Sequence, residues 1–273
     1  MHSLTTHRYR RIEESPSAVL SSLPGDNPLY VHARNWMSEM AVITPLTDSF
    51  TDEDGDWLSF PERGLNLFLP GVLHLHAISI DHQSRPSVAL EIATPGEPRS
   101  VSFAAIPRFS DVAVFADALS RHPSQEMTPD EYNAWRTDHL IRPRACPCCA
   151  DAAEDRRRDL SENPLSRIFA EAIEKERTLH CRLRSVAFGF SSSFVPSDLL
   201  LRKGRIAITS RDHMAMLEID PGFCHRLNFN RCRIDAEPMT RLSVSNSLGE
   251  TELVIETAGP ETFAEWSRLC RPD

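Results

Sequence analysis

Hydrophobic and polar positions alternate along two stretches of this chain in the same order of turns and strands. The first stretch runs from about Gly64 to Leu119 and the second from about Gly222 to Leu269. Gly64-Leu-Asn-Leu-Phe and Gly222-Phe-Cys-His-Arg-Leu open the two units, and each continues to an Ile-Asp pair (Ile80-Asp81, Ile234-Asp235). A polar turn with a proline follows (Pro86, Pro238). An alternating strand comes next (Val88 to Ile92, Leu242 to Asn246), then a Gly-Glu turn (Gly96-Glu97, Gly249-Glu250). A second strand (Ser100 to Phe103, Glu252 to Ile255) leads into a short amphipathic segment (Asp111 to Leu119, Glu261 to Leu269). Period-two alternation bounded by Gly and Pro turns is the pattern of half-buried antiparallel strands. The same order occurring twice predicts a duplicated sheet unit, and a cleft beside such sheets is a natural ligand site.

Between the units the periodicity changes to that of helices. Thr128-Pro129-Asp130-Glu131 carries a threonine cap, proline at the first helical position and glutamate three residues after the cap. Tyr132, Trp135 and His139 then share one face, and Pro143 ends the segment. Asn163-Pro164 starts a second helix, with Leu165, Ile168, Phe169, Ala172, Ile173 and Leu179 as its apolar stripe. The mixed-charge run Asp151 to Asp159 between them reads as a solvated face or loop. Residues 1–15 are polar and read as a frayed end, and Ser15 to Leu23 as a short helix. Leu29 to Thr44, Ser185 to Phe190 and Gly204 to Ile208 read as strands. Asp220-Pro-Gly-Phe223 reads as a tight turn with its glycine at positive φ. The expected architecture is α+β, two tandem structural repeats, each a large antiparallel β-sheet with flanking helices. The first repeat is expected over 1–125, a helical linker over 126–182 and the second repeat over 183–273, packed as one unit.

Charge narrows the class. The net charge of −9 argues against a broad nucleic-acid surface. Lys175 and Lys203 are the only lysines, so the cations are nearly all arginine, which binds carboxylates in two-point geometry. No stretch approaches the roughly 20 apolar residues of a membrane helix. The basic start of the chain has no apolar core behind it, which predicts no secretory signal. Seven unevenly spaced cysteines are not a disulfide framework and fit a reducing, cytoplasmic compartment.

The reactive groups concentrate in the linker. Cys146, Cys148 and Cys149 follow His139 closely, a set able to bind a soft metal, though the spacing suits structural zinc poorly. Cys146-Pro147 is also a dipeptide able to offer a thiolate to haem iron; ordinary loop cysteines are the plain alternative. His139 shares its helical face with Tyr132 and Trp135, which would stand an aromatic wall beside an imidazole and suit a planar cofactor. A packed histidine is the competing reading. Arg142 and Arg144, with Arg136, could meet acidic ligand groups. His74 and His76 form a His-x-His pair on one side of a strand, with His82 the nearest third metal ligand. His180 reads as the end of the second linker helix. No P-loop, dinucleotide glycine fingerprint, GxSxG or HExxH motif is present.

The order of elements resembles the bacterial haem-utilisation family of the HemS/ChuX type. Asn163 to Ile173 resembles the helix before that family's second repeat, and Leu217 to Phe223 its short strand and turn. Leu242 to Ile255 resembles the closing hairpin, and Trp266 lies in the terminal helix. The resemblance covers about two thirds of the chain. It implies a two-repeat HemS-like fold and a cytoplasmic haem carrier, some family members being haem-degrading. It also implies haem between the second repeat's sheet and the linker helices, with a linker histidine on iron and an arginine opposite. His139 or Cys146 would then ligate iron, the alignment from Pro129 placing Cys146 nearest the ligand position. A thiolate there would lower the iron potential. Tyr132 and Trp135 would wall the porphyrin, and Arg142, Arg144 or Arg85 (a loose match to the family's arginine) would meet the propionates. Expected partners are haem and, as a homodimer, a second copy of the chain. A protein keeping the fold without haem for an interaction or regulatory role, or a Cys-based metal or redox sensor, are the alternatives.

Overall fold

The computed structural model describes the chain except residues 1–5, 62–63, 83–84, 95–96, 139–146, 260 and 271–273. In chain order the elements are β1 (Thr6–Ile12), α1 (Pro16–Ser21), β2 (Leu29–Arg34), β3 (Ser38–Thr44), β4 (Phe50–Thr51), β5 (Trp57–Phe60) and β6 (Leu65–Phe68). A 3-10 turn, Leu69–Gly71, precedes β7 (His74–His82), β8 (Arg85–Thr94), β9 (Glu97–Ala105), α2 (Val112–Ser120), β10 (Ser124–Met127) and α3 (Pro129–Asp138). Then come α4 (Pro147–Arg158), α5 (Pro164–Glu174), β11 (Leu179–Arg184), β12 (Phe188–Phe194), β13 (Pro196–Arg202), β14 (Arg205–Ser210) and β15 (Ala215–Ile219). The 3-10 turn Pro221–Phe223, β16 (Arg226–Ile234), β17 (Glu237–Ser245), β18 (Thr251–Ala258) and α6 (Thr262–Leu269) complete the chain.

The chain forms two compact units. One comprises Met1–Ala33, Val42–Arg142 and Val186–Phe190, the other Arg34–Ala41, Pro143–Ser185 and Ser191–Asp273. In the first, the strand order β10-β1-β7-β8-β9-β2 builds an antiparallel sheet; in the second, β16-β17-β18-β11 does so. The fold is α+β with two tandem repeats, as expected. The duplication is longer than the sequence pattern reveals, because α1 through α2 and α5 through α6 match element for element, including the 3-10 turn before the long hairpins. Gly222 therefore corresponds to the turn at Gly71 rather than to Gly64, which opens β6. The polar start is not frayed throughout: Thr6–Ile12 is a strand held between β7 and β10.

Alternation builds the cores. In β2 the side chains of Leu29, Val31 and Ala33 are buried, and in β11 those of Leu179, Cys181 and Leu183 occupy the same places. Each fully buried aliphatic or aromatic side chain contributes about 1.5–3 kcal/mol before entropy is counted. Helix α5 buries Leu165, Ile168, Phe169 and Ala172 and ends at Glu174, with Glu176 at φ +48° turning the chain into β11. Leu179 and His180 are thus strand residues, not the end of the helix as expected. Burial pushes the Glu171 carboxyl up, but hydrogen bonds from Arg177 and Trp266 more than offset this and hold it below the usual carboxylate range. The carboxylate joins α5 to α6.

The mixed-charge run is helical. Within α4, Arg156 donates to the carbonyls of Pro221 and Gly222, and Arg157 makes a two-point pair with Asp220 at 2.8 and 3.0 Å. This explains Gly222, whose φ is not positive as expected. A Cβ there would stand 2.5 Å from Arg157 Cζ, so glycine leaves room for the guanidinium. Gly222→Ala is expected to cost about 1–2 kcal/mol by evicting Arg157 from Asp220, and only a few tenths in an Arg157→Ala background. A double-mutant cycle by urea denaturation checks this; additive costs would mean that the two residues do not compete.

Candidate functional site

Register places a polar row across one face of the first unit's sheet. Arg11 pairs with His76, His76 with Glu91, Glu91 with Ser102 and Ser102 with His32. Two residues along each strand lies a second row on the same face: Tyr9, Ile78, Ala89, Ala104 and Tyr30. The opposite face carries Leu75, Leu90, Val101 and Phe103, all buried. The sheet thus has an apolar face for the core and a mixed face left for chemistry.

Helix α3 closes part of the mixed face. Its start is locked by a reciprocal cap: Glu131 accepts from Thr128 N and Oγ1 at 2.7 and 2.8 Å, and Thr128 Oγ1 accepts from Glu131 N at 3.2 Å. These bonds hold the Glu131 carboxyl below its ordinary range. One turn on, the Tyr132 ring stacks on Tyr9 at 4.3 Å, and its hydroxyl donates to the buried Glu91 carboxylate. Trp135 stands 4.3 Å from the His76 ring and 5.7 Å from His74. The Arg136 guanidinium lies 5.7 Å over Tyr132.

His76 is the unusual group. It is fully buried, and among the described residues neither ring nitrogen has a hydrogen-bond partner. An unsatisfied buried polar atom costs about 1–3 kcal/mol, so this imidazole is retained against the stability of the unit. Burial pushes its pKa down, with His74 and Arg11 adding to the effect, to about 4. It is neutral at pH 7, with a proton on one ring nitrogen and a lone pair on the other, and is shut from solvent beneath Trp135. Beyond α3 the face is half-buried: Tyr30 and His32 lie parallel at 6.3 Å, beside Ser102, Ala104 and Ala89. Small side chains flanked by rings form a shelf suited to a flat apolar group.

The sequence-predicted residues fall as follows. Tyr132 and Trp135 share a face of α3, turned to the strands of the first repeat. Tyr132 is enclosed, and Trp135 is half-buried. Arg85 opens β8 opposite His82, its side chain outside the described residues. His139, Arg142, Arg144 and Cys146 lie outside the described residues, as do the side chains of Cys148 and Cys149 at the start of α4. His74 and His76 point to one side of the strand, as their spacing requires, with rings 6.1 Å apart. Among the described residues no group of three or more His, Cys, Asp and Glu side chains could hold a metal ion. Burial raises the Cys181 thiol to about 12, and burial and then Asp220 raise that of Cys224, so neither is a reactive thiolate. Glu91, Tyr30 and His32 escaped the sequence reading. Glu91 is the charged residue of an apolar-alternating strand, and Tyr30-x-His32 repeats the spacing of His74-x-His76.

No family model and no curated protein matches the chain. Solved structures do. The haem-degrading enzyme ChuS of Escherichia coli O157:H7 superimposes with a TM-score of 0.70 at 12% identity, over 97% of this chain and 87% of that one. Holo-PhuS, a haem-binding protein from Pseudomonas aeruginosa, gives 0.68 at 14% identity, over 96% and 86%. The class defined here is the two-repeat α+β fold with a helix-covered sheet face. The particular fold is that of ChuS and PhuS, the HemS-like fold that the sequence resemblance implied. Among the described residues no helix is long and apolar enough to cross a membrane.

The pH response of the first unit follows from His76. The unfolded imidazole takes a proton below about pH 6.5, whereas the folded one resists protonation until about pH 4. Stability is therefore full above pH 6.5 and falls as pH drops through this window, by up to about 3 kcal/mol from this residue. Urea midpoints at pH 7 and pH 4.5 are expected to differ less for His76→Leu than for the wild type. Equal differences would mean that other groups carry the acid response.

Proposed function

We propose that this chain is a cytoplasmic haem-binding protein for haem trafficking, storage or utilisation. The observation that carries this reading is the superposition, over nearly the whole chain, on one protein described as haem-degrading and another described as haem-binding. We place the ligand on the first unit's sheet face, not on the second repeat's sheet that the resemblance implies, because of the side chains there. Ala89 and Ala104 offer a flat floor and Tyr30 and His32 a ring wall, beside the α3 helix that covers the rest of the face. These residues suit an apolar planar group.

In this reading His139 or Cys146 holds the iron, in the segment that directly follows α3. Trp135 contributes ring surface, with the enclosed Tyr132 fixing the helix behind it. Arg142, Arg144 and Arg85 meet the propionates, for which the planar guanidinium is well matched. Bound haem would supply the iron and its redox chemistry; the chain's part is to bind, orient and shield it. The net charge of −9 sets nucleic acid aside as a partner.

A haemin titration followed by absorbance tests the reading on wild type, His139→Ala and Cys146→Ser. The expected result is a saturable one-to-one Soret shift, with affinity reduced at least about tenfold in whichever variant lacks the iron ligand. No saturable shift in the wild type rejects haem binding. A shift unchanged in both variants keeps haem and rejects this pair as ligands.

A further inference from the structure

The two repeats differ at matching edge strands. In the first repeat β4 is two residues long, both exposed, and ends its sheet beside β5. Its equivalent in the second repeat, β13, is seven residues long and ends the other sheet beside β14. A very short edge strand gives another chain little to pair with, whereas a long apolar one is a template for it. Leu199, Leu200 and Leu201 stand together in β13. Helix α5 packs against this strand, yet Leu200 remains 40% exposed and Leu201 38%.

Turn geometry fixes which backbone groups of β13 are spare. Lys203 and Gly204, at φ 51° and 74°, make the two-residue turn to β14, with Arg202 opposite Arg205. The turn's own hydrogen bond joins Arg202 to Arg205, so the pairs bonded to β14 recur at Leu200 and Asp198. The amides and carbonyls of Leu199 and Leu201 therefore point to the open edge. At the far end the register shifts between Pro196 and Asp198, and Pro196 has no N–H to donate. The regular, pairable stretch is thus residues 198–202, centred on Leu200.

That stretch, Asp-Leu-Leu-Leu-Arg, is complementary to itself in the antiparallel sense. About Leu200 of two copies, Leu199 faces the second copy's Leu201, and Asp198 faces the second copy's Arg202. Both charged residues are exposed. Asp198 accepts from the Ser197 hydroxyl at 2.7 Å, and among the described residues no cation pairs with it and no carboxylate with Arg202.

We propose that β13 is a dimerisation edge, on which two copies of this chain pair antiparallel through residues 198–202 about a two-fold axis at Leu200. The pairing uses the spare groups of Leu199 and Leu201, sets leucine against leucine on both faces of the joined sheet and closes the same ion pair at each end. Each copy's edge is consumed by the other, so the assembly stops at two. One strand per copy is a small contact beside the roughly 1,200–2,000 Å² of stable interfaces, so the expected dissociation constant is about 10–100 µM. The proposal does not rest on haem binding.

The test is sedimentation velocity on the full chain, reduced and without haemin, from about 5 to 500 µM. The wild type is expected to pass from monomer to dimer across this range, with nothing larger. Asp198→Arg and Arg202→Asp, taken singly, set like charges opposite each other and should weaken the dimer about tenfold or more. The double variant exchanges the two charges and should return to within about threefold of the wild type, a recovery that a folding defect would not give. Leu200→Glu brings two carboxylates together on the axis and should leave only monomer. A wild type that stays monomeric overturns the proposal. So does a dimer that the single variants leave unchanged or the double variant fails to restore, and so does growth beyond two copies.

Discussion

Antiparallel register is the constraint on which the rest of this molecule depends. Because side chains alternate from face to face, one register assigns Leu75, Leu90, Val101 and Phe103 to the core and His76, Glu91, Ser102 and His32 to the other side. A slip of one residue would exchange the two sets, burying the polar row in the core and presenting the aliphatic row to α3. The apolar core therefore holds the register, and the register brings together residues far apart in sequence. His32 and His76 meet on one face only because β2, β9, β8 and β7 are locked edge to edge.

The two repeats apply that rule to different chemistry. In the first, the mixed face carries alanines, rings and an imidazole sealed by α3, and the buried Glu91 carboxylate is answered by a tyrosine hydroxyl. In the second, the equivalent positions hold an arginine–glutamate pair and a histidine–serine pair. Duplication kept the buried alternation, which stability enforces, and released the outward alternation, which only a ligand enforces. A site can thus change character without disturbing the scaffold beneath it.

What could be read from sequence follows the same division. Strand order, the proline-led starts of α1, α3 and α5 and the capping box at Thr128 were legible because each is local: a cap, a turn or a period. The common face of Tyr132 and Trp135 was legible from helical spacing, and that of His74 and His76 from strand spacing. What those faces meet was not, since nothing near Tyr132 points to Tyr9 or Glu91. Strand β1 was missed because it is short of apolar residues, with only Ile12 fully buried among those described. The run Asp151 to Asp159 looked solvated because its arginines satisfy a turn more than sixty residues later in the chain. Gly222 signalled a special backbone, but the reason was the space taken by a side chain from another element.

One difference between the repeats bears on the behaviour of the chain at high concentration. The outer edge of β7 is covered by β1 and then β10, whereas among the described residues β16 has no strand on its outer side. Its unpaired amides and carbonyls form a template to which any extended chain could zip. Exposed Arg226, Arg231 and Arg233 lie along that strand, so a second copy approaching edge to edge would bring guanidinium against guanidinium. Charge along an exposed edge disfavours such pairing, here on the repeat that, among the described residues, lacks the additional strand covering its twin.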